Sequence, residues 1–176
     1  MRYNIRPLWD APRIAGPAFT VHLSPGDNLM LHAAMYEAPP GSVVVVQSGD
    51  MNFAAIGGNV ARIAKERGIA GLVLDGVVRD IAEIRALRFP VYARGILPVP
   101  GTKVRPGVLN QPIICGDVSV HAGDIIVADE EGIVVVPSAQ ASKAFNDGIK
   151  RQEKEEAEGY EGWKKQHHAR VTAALL

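Results

Sequence analysis

Residues 57–80 read GGNVARIAKERGIAGLVLDGVVRD, and the predicted architecture follows from this stretch. Apolar residues recur at helical spacing over positions 56–64, charged residues cover the opposite face, and Gly68 ends the pattern. Residues 70–74 then form a short apolar run bounded by glycine, which is typical of a strand covered on both faces. The stretch therefore predicts a glycine turn, an amphipathic helix, a buried strand and a second glycine turn at Gly76.

The two glycine turns are expected to meet. A parallel crossover brings the start of its helix and the end of the next strand to the same edge of a sheet. Backbone N–H groups at the helix start, residues 57–60, can hold a carboxylate or a phosphate. Arg79 offers a planar fork of donors for a carboxylate or an enolate oxygen, and Asp80 is a hard oxygen ligand for a cation such as Mg²⁺. The pattern predicts a site for chemistry on a small oxo acid.

Each part of this pattern also has a purely structural interpretation. A Gly-Gly-Asn sequence before a helix is often only a turn. Asp80 and Glu83 fit an N-cap and its capping-box partner for a helix over residues 81–88. Arg79 alone fits a solvated surface charge. Spacing by itself favours the capping role, so the residues leave both interpretations open.

Five segments, in order, carry a resemblance to a known family. They are IAGPAFTV (14–21), PPGSVVVV (39–46), the stretch 57–80, FPVYARG (89–95) and GDIIVADEEGIVVVP (123–137). Together they resemble the family of the 4-hydroxy-4-methyl-2-oxoglutarate aldolases and the regulator of ribonuclease activity A, once labelled demethylmenaquinone methyltransferases. The similarity covers about residues 6–137. The helix-start loop combined with V-x-D-G-x-x-R-D is more specific than either part.

The resemblance implies a fold and an assembly. The fold class is α/β: a swivelling β/β/α domain, a single domain with a β-layer scaffold and flanking helices, over residues 1–137. Residues 138–176 are expected to form a C-terminal helical extension packed on the same domain. Family members of this type assemble as homotrimers or hexamers, with sites between neighbouring subunits.

The resemblance also implies roles for the site residues. The loop that holds the substrate carboxylate through backbone amides matches Gly57, Gly58, Asn59 and Val60. The arginine that matches Arg79 contacts the keto-acid oxygen and is the catalytic residue. The aspartate that matches Asp80 binds the divalent metal, Mg²⁺ or Mn²⁺. The pure regulator branch usually lacks the Arg-Asp pair, so the pair favours the enzyme branch.

One position departs from the family pattern. In the aldolases the second loop position is often acidic, and its carboxylate helps to organise metal-bound water and proton transfer. Here that position is Gly58. The amide cradle needs only main chain and is retained, whereas the proton-transfer step lacks its acid. A neighbouring subunit could supply the acid, or the chain could be non-catalytic.

The predicted function is that of a class II type aldolase or decarboxylase. It would cleave short 2-oxo acids such as 4-hydroxy-4-methyl-2-oxoglutarate or oxaloacetate to give pyruvate. The pattern places no lysine at the site, so no Schiff base is expected. The alternative is a non-catalytic regulator that binds a ribonuclease or another protein. A methyltransferase has the weakest support, because no glycine cluster follows the first strand over residues 18–26.

Composition bounds these interpretations. The 176 residues, 47% hydrophobic and 22% charged, suit one globular domain. The chain has 19 basic and 19 acidic residues, and the basic residues form no stripe. This pattern predicts that nucleic acid is not a direct ligand. The single cysteine, Cys115, cannot form an internal disulfide. No signal region and no apolar run of about 20 residues is present, so a cytoplasmic protein without a membrane segment is expected.

The remaining elements are predicted from periodicity. A strand is expected over residues 18–22, and a helix is expected from position 27 or 28 to about 37. Its inner side would carry Leu29, Met30, Ala33 and Tyr36. His32 has no partner at metal-ligand spacing and is assigned to the surface or the core. Arg94 follows a strand over residues 89–93 and is given no role.

The C-terminal third is predicted in two parts. Turn residues separate four strands between positions 112 and 136, which indicates a β-layer of hairpins. Ser138 begins a helix with Ala141, Phe145 and Ile149 at core spacing, interrupted near Gly159. A short last helix is expected to reach residue 176.

Overall fold

Parallel strands form the centre of the fold. The structure, a computed structural model, describes residues 1–10 and 13–175. The strands are β1 (Arg6–Pro7), β2 (Ile14–His22), β3 (Val43–Gln47), β4 (Ala54–Ile56), β5 (Gly71–Val78), β6 (Val91–Ile96), β7 (Ile113–Cys115), β8 (Val118–Val120), β9 (Ile125–Ala128) and β10 (Ile133–Val136). The helices are α1 (Leu29–Glu37), α2 (Gly58–Glu66), α3 (Ile81–Leu87) and α4 (Ala141–Ala174).

The main sheet has the strand order β1-β6-β5-β3-β2-β9-β10, with β4 paired to β5. The β2, β3, β5 and β6 strands pair in parallel, while β1, β9 and β10 join antiparallel at the two edges. The β7 and β8 strands form a separate antiparallel pair. Helices α1, α2 and α3 connect the parallel strands, as crossovers between such strands require.

The sheet curls because β2 changes partners along its length. Residues 14–17 pair antiparallel with β9, and residues 18–22 pair in parallel with β3. Pro17, which lacks an N–H donor, lies just before the change. One strand thus belongs to both halves of a curled sheet, which with its flanking helices is the predicted mixed α/β fold of swivelling β/β/α type.

Two cores lie on opposite faces of the central strands. Val44 and Val46 of β3 belong to the core that includes α1, α2 and α3 residues, whereas Val43 and Val45 belong to the core that includes β7 to β10 residues. All four valines are buried. A strand covered on both faces has no polar side, and this explains why β3 is a continuous apolar run.

Helix α1 forms where it was predicted but turns a partly different face inward. Its buried residues are Met30, Leu31, Ala34 and Met35. Tyr36, which was predicted to face inward, is exposed. The predicted inner face is confirmed for Met30 and for Ala33, which packs against the core, and is wrong for Tyr36. The helix itself carries apolar residues on nearly every side, so their periodicity could not identify the buried face.

Gly76 was predicted to form a turn, and it lies instead inside β5, which continues to Val78. The pairing of β5 with β6 shifts register between Leu74 and Val77, which places an irregularity at Gly76. A Cβ atom at position 76 would lie 2.6 Å from Ser48 Cβ and 2.7 Å from Ser48 Oγ. Glycine is needed here for close approach of two chain segments rather than for a turn.

The chain divides into two units, Met1–Ser138 and Ala139–Leu176. The second unit is helix α4, preceded by a 3₁₀ turn at Ser138–Gln140 and kinked at Gly159, whose φ is 63°. No residue of α4 is buried, and Phe145 is exposed rather than in a core. Packing of residues 138–176 on the first unit stays a prediction. The last residue of the predicted tail helix, Leu176, lies outside the described residues.

Within the described residues, no helix has both the length and the apolar character needed to cross a membrane.

The close contact at Gly76 gives a stability prediction. Gly76→Ala should lower the free energy of unfolding by about 1–3 kcal/mol, because the added methyl group overlaps Ser48. Chemical denaturation measures this change. Gly132→Ala is the matched control, since a Cβ atom there would meet no atom within 4 Å. Adding Ser48→Gly removes the overlap but also the hydrogen bond from Ser48 Oγ to Asp50 O, so it should restore only part of the loss. Equal stability of the two alanine variants would contradict the packing described here.

Candidate functional site

The start of helix α2 is capped from another part of the chain. Gly57 is the N-cap residue and Gly58 the first helical residue, and no side chain of the α2 segment caps them. Instead the Gly58 N–H donates a hydrogen bond of 3.1 Å to Asp80 Oδ2. A carboxylate at this position satisfies one of the free amides at the helix start and interacts favourably with the helix dipole.

The end of β5 is shaped to bring Asp80 to that position. Arg79 N donates to Ile56 O at 2.9 Å, so the chain is still paired with β4 at this point. Asp80 then adopts the left-handed conformation, with φ 58° and ψ 39°. Aspartate is one of the few residues other than glycine that adopts this conformation readily. The turn leaves Arg79 Nε 3.6 Å from Asp80 Oδ2.

The capping-box interpretation of Asp80 and Glu83 is wrong for the side chains. Asp80 occupies the N-cap position of α3, yet its carboxylate makes no capping hydrogen bond to that helix. The bond from Glu83 N goes to the main-chain oxygen of Asp80, at 3.0 Å. The Asp80 carboxylate therefore serves the neighbouring helix α2 rather than its own.

Glycine is required at position 57 by contact and not by backbone angle. A Cβ atom there would lie 3.0 Å from Arg79 Nε and 3.2 Å from Arg79 Cγ, and would overlap Asp80 Oδ2. The two corners of the chain that were predicted to converge thus meet at van der Waals distance, and Gly57 is the residue that allows it.

Glu83 occupies the space that a side chain at position 58 would take. A Cβ atom on Gly58 would lie 2.7 Å from Glu83 Cδ and 2.9 Å from Glu83 Cβ, and would overlap Glu83 Oε2. An acidic residue is often found at this position in the family that the sequence resembles, and here a carboxylate reaches the same place from helix α3. From the sequence, Glu83 is expected only as the capping-box partner of Asp80 in helix α3.

One small cavity joins the predicted residues. Gly57, Asn59, Val60, Arg79 and Asp80 line a space of about 60 Å³. The Gly58 amide is engaged by Asp80. In the described part of the chain the amides of Asn59 and Val60 donate to no recorded partner. The amide cradle available to a ligand is therefore narrower than the four predicted residues.

Three further polar residues line the same cavity and were not predicted: Asn28, His32 and Lys103. Asn28 is 6% exposed, and its Nδ2 donates to Ala55 O at 3.1 Å. Its Oδ1 is buried and, among the described residues, accepts no hydrogen bond. A buried polar atom without a partner costs free energy, and a ligand or water in the cavity would relieve that cost.

His32, which was assigned to the surface or the core, lines the cavity together with Lys103. Desolvation by burial, with the charge of Lys103 nearby, lowers the pKa of His32 below its ordinary value of 6.5. The imidazole is consequently neutral at pH 7 and can accept a proton. Lys103 lines the cavity, so the expectation that no lysine lies at the site is wrong.

Asp27 fixes the wall that carries Lys103. Its Oδ2 accepts bonds from Thr102 Oγ1 at 2.8 Å, Val104 N at 2.7 Å and Arg105 N at 3.3 Å, while Oδ1 accepts from Leu29 N at 2.9 Å. Burial acts to raise the pKa of Asp27, but these hydrogen bonds outweigh it and lower the pKa to about 2. One carboxylate ties residues 102–105 to the start of α1.

The oxygen atoms at this corner fit a divalent cation of the magnesium type. Asp80 Oδ1 accepts no recorded hydrogen bond in the described part of the chain, and the Glu83 carboxylate lies beside Gly58. The residues described include no group of three His, Cys, Asp or Glu side chains able to hold a metal. Mg²⁺ commonly uses only one or two carboxylates and keeps several waters, so the donor set is adequate.

The Asp27 bonds give a stability prediction. Asp27→Asn should lower the free energy of unfolding at pH 7 by about 1.5–3 kcal/mol, the range for hydrogen bonds to a charged group. Because the folded pKa of Asp27 lies below its ordinary value of 3.8, this contribution is present above about pH 4 and is lost as the pH falls toward 2.

Urea unfolding at pH 7 and at pH 3 measures both effects, with the exposed Asp10→Asn as the control. The difference in stability between the wild type and Asp27→Asn should narrow at the lower pH. A difference that is the same at both pH values would contradict the assignment.

Comparisons with known proteins identify the family. The model of the RraA-like family, described as Aldolase/RraA, matches residues 1–135. A protein of Halalkalibacterium halodurans, provisionally named a 4-hydroxy-4-methyl-2-oxoglutarate aldolase, is 42% identical over 155 residues, covering 88% of this chain and 74% of its own.

Two solved structures are similar in fold and in sequence. Streptomyces coelicolor RraAS2, described as an unusual member of the RNase ES inhibitor RraA family, has a TM-score of 0.79 at 32% identity and covers 86% of this chain and 78% of its own. The RNA-processing inhibitor RraA from Thermus thermophilis has a TM-score of 0.72 at 30% identity, covering 78% and 84%.

Proposed function

The chain belongs to the RraA-like family, and on that premise we propose that it is a divalent-metal-dependent lyase. In this proposal it is a class II type aldolase or decarboxylase that cleaves short 2-oxo acids to give pyruvate. The observation that carries the proposal is the cavity shared by the α2 amides, Arg79 and Asp80. Oxaloacetate and 4-hydroxy-4-methyl-2-oxoglutarate are the substrates to try first.

The free amides of Asn59 and Val60 are suited to the C1 carboxylate. They lie at a helix start, where the dipole favours negative charge and no side chain is needed. Arg79, whose side chain lies on the same cavity, is suited to the 2-keto oxygen. Its guanidinium would stabilise the negative charge that this oxygen gains when the bond between C3 and C4 breaks.

The cavity also suits a second acidic group. Lys103 contributes a positive charge to its lining, and Asn28 contributes a buried amide. A dicarboxylate 2-oxo acid would place its distal carboxylate near Lys103, whereas pyruvate has no such group. This difference favours substrates with two carboxylates, such as the two named above.

Asp80 is the residue that would hold the metal. When bound, Mg²⁺ or Mn²⁺ supplies a Lewis acid that polarises the keto oxygen of the substrate. Asp80 would use Oδ1 for this purpose, because Oδ2 already accepts the Gly58 N–H bond. That bond also holds the carboxylate in a fixed orientation.

Glu83 would perform the proton transfer that Gly58 cannot. Its carboxylate occupies the space of the missing side chain, so the acid that was absent from the loop is available from helix α3. Glu83 lies beside the cavity and is not one of its lining residues, whereas His32 lines it, is neutral at pH 7 and can also accept a proton.

A non-catalytic regulator is the second candidate. The two solved structures described above are named for inhibition of RNA processing, which favours a protein partner such as a ribonuclease. The Arg79 and Asp80 pair favours the enzyme, because the regulator branch usually lacks it. A homotrimer or hexamer is proposed for either function, and light scattering after gel filtration measures it.

The proposed function is tested by a coupled pyruvate assay. Purified protein with Mg²⁺ or Mn²⁺ should release pyruvate from oxaloacetate or 4-hydroxy-4-methyl-2-oxoglutarate, above the rate of the metal ion alone. EDTA should remove the activity, and added metal should restore it. Absence of turnover on both acids, together with absence of metal binding, would contradict the enzyme and leave the regulator.

The role of Glu83 gives a sharper prediction. Glu83→Gln should lower kcat by about a hundredfold or more, since it removes a positioned proton acceptor and keeps the size of the side chain. The control is Glu66→Gln, an exposed glutamate on α2, which should keep full activity.

A second variant tests whether position and not identity matters. Gly58→Asp combined with Glu83→Ala moves the carboxylate back into the loop and should regain a large part of the lost rate. Full activity of Glu83→Gln, or no recovery in a folded double variant, would count against this role.

A further inference from the structure

A second cavity lies at the carboxyl ends of β3, β5 and β6, and it shares no lining residue with the candidate site. It has a volume of about 290 Å³. Three of its residues, Gln47, Asp75 and Arg94, come from those three neighbouring strands, and Gln47 is directly paired with Asp75. Small molecules bind preferentially at this edge of a parallel sheet.

Arg94 is held in place by an ion pair with Asp75. Its Nε lies against Asp75 Oδ1 without the geometry of a hydrogen bond, and its side chain is 23% exposed. The other Asp75 oxygen accepts the Gly116 N–H at 2.8 Å. Among the described residues, the two terminal nitrogens of Arg94 donate to no recorded partner. A guanidinium fixed at Nε presents the remaining donors as a planar fork.

The other polar groups of the cavity follow the same pattern. Gln47 Oε1 accepts from Ile114 N at 2.8 Å, while within the described chain its amide nitrogen has no recorded acceptor. Asp50 accepts from Gly26 N through Oδ2 and from Asn52 N through Oδ1, the latter at 2.7 Å. Asp75 Oδ1 is buried and, among the described residues, accepts no hydrogen bond, although it lies against Arg94. The free donors of the cavity are the terminal nitrogens of Arg94 and the amide nitrogen of Gln47, so a ligand that uses them must accept hydrogen bonds.

The walls of the cavity narrow the class of ligand. Met51 and Ile114 line it, and both are partly exposed large apolar side chains. Asp75 neutralises Arg94 and Asp50 adds a negative charge, so attraction rests on directed hydrogen bonds rather than on net charge. A carboxylate matches the guanidinium fork in geometry, and a short apolar tail matches the two apolar side chains.

We propose that this cavity, built around Arg94 and Gln47, is a second binding site that takes a small carboxylate with a short apolar tail. The site is independent of the candidate catalytic cavity, and its existence does not depend on the proposed lyase activity. It also gives a use to Arg94, which the sequence pattern left without one.

Binding of butyrate, followed by TROSY spectra of the ¹⁵N-labelled protein, tests the proposal. The side-chain amide of Gln47 and the main-chain amide of Gly49 should shift as butyrate is added. In Arg94→Lys, which keeps the charge and removes the fork, the dissociation constant should rise at least tenfold. The thermal midpoint should change little, because Asp75 retains a cationic partner.

Arg79→Lys is the matched control, since it makes the same exchange in the other cavity and should leave butyrate binding at Gln47 unchanged. Unchanged affinity in Arg94→Lys, loss of binding in Arg79→Lys, or no shift at Gln47 in the wild type would overturn the proposal. Tighter binding of inorganic phosphate than of butyrate would overturn the ligand class. None of these outcomes depends on whether pyruvate is released.

Discussion

The hydrogen bond from the Gly58 amide to the Asp80 carboxylate joins the end of β5 to the start of α2. It is possible only because Asp80 takes a left-handed conformation and because position 57 carries no side chain. By using Asp80 Oδ2 and a single amide, the bond leaves Oδ1 and the next two amides available. The contact that closes the corner of the fold thus also determines which groups of the site are free to bind a ligand.

Much of the fold could be predicted because its signals are local. The all-valine β3 and the run that begins β5 reflect burial on both faces, and helix α2 has a clear apolar stripe. The errors arose where tertiary contact decides the outcome. Gly76 is a residue type that is typical of turns, yet it lies in strand β5. There its lack of a side chain leaves room for Ser48. Helix α1 is apolar on most sides, so only the surrounding core determines that Met35 faces in and Tyr36 out.

The candidate site was predictable in its topology and not in its full composition. Convergence of the helix start with Arg79 and Asp80 follows from the crossover rule, and the shared cavity agrees with it. His32 and Lys103 carry no local signal. Lys103 is brought to the cavity by bonds between Asp27 and residues 102–105, which span more than 70 positions of sequence. The missing acidic side chain at Gly58 is visible in the sequence. The position of Glu83 in that space depends on how α3 packs beside α2, which the sequence pattern does not give.

In the proposed function, the start of α2 and the end of β5 bind a small oxo acid beside a divalent cation. A crystal structure of the protein grown with MnCl₂ and pyruvate tests it most directly, since manganese is located by its anomalous scattering. We expect manganese to be bonded to the Asp80 carboxylate. The pyruvate carboxylate should accept hydrogen bonds from the amides of Asn59 and Val60, and its keto oxygen should face Arg79. Manganese bound away from Asp80, or pyruvate out of reach of Arg79, would contradict it.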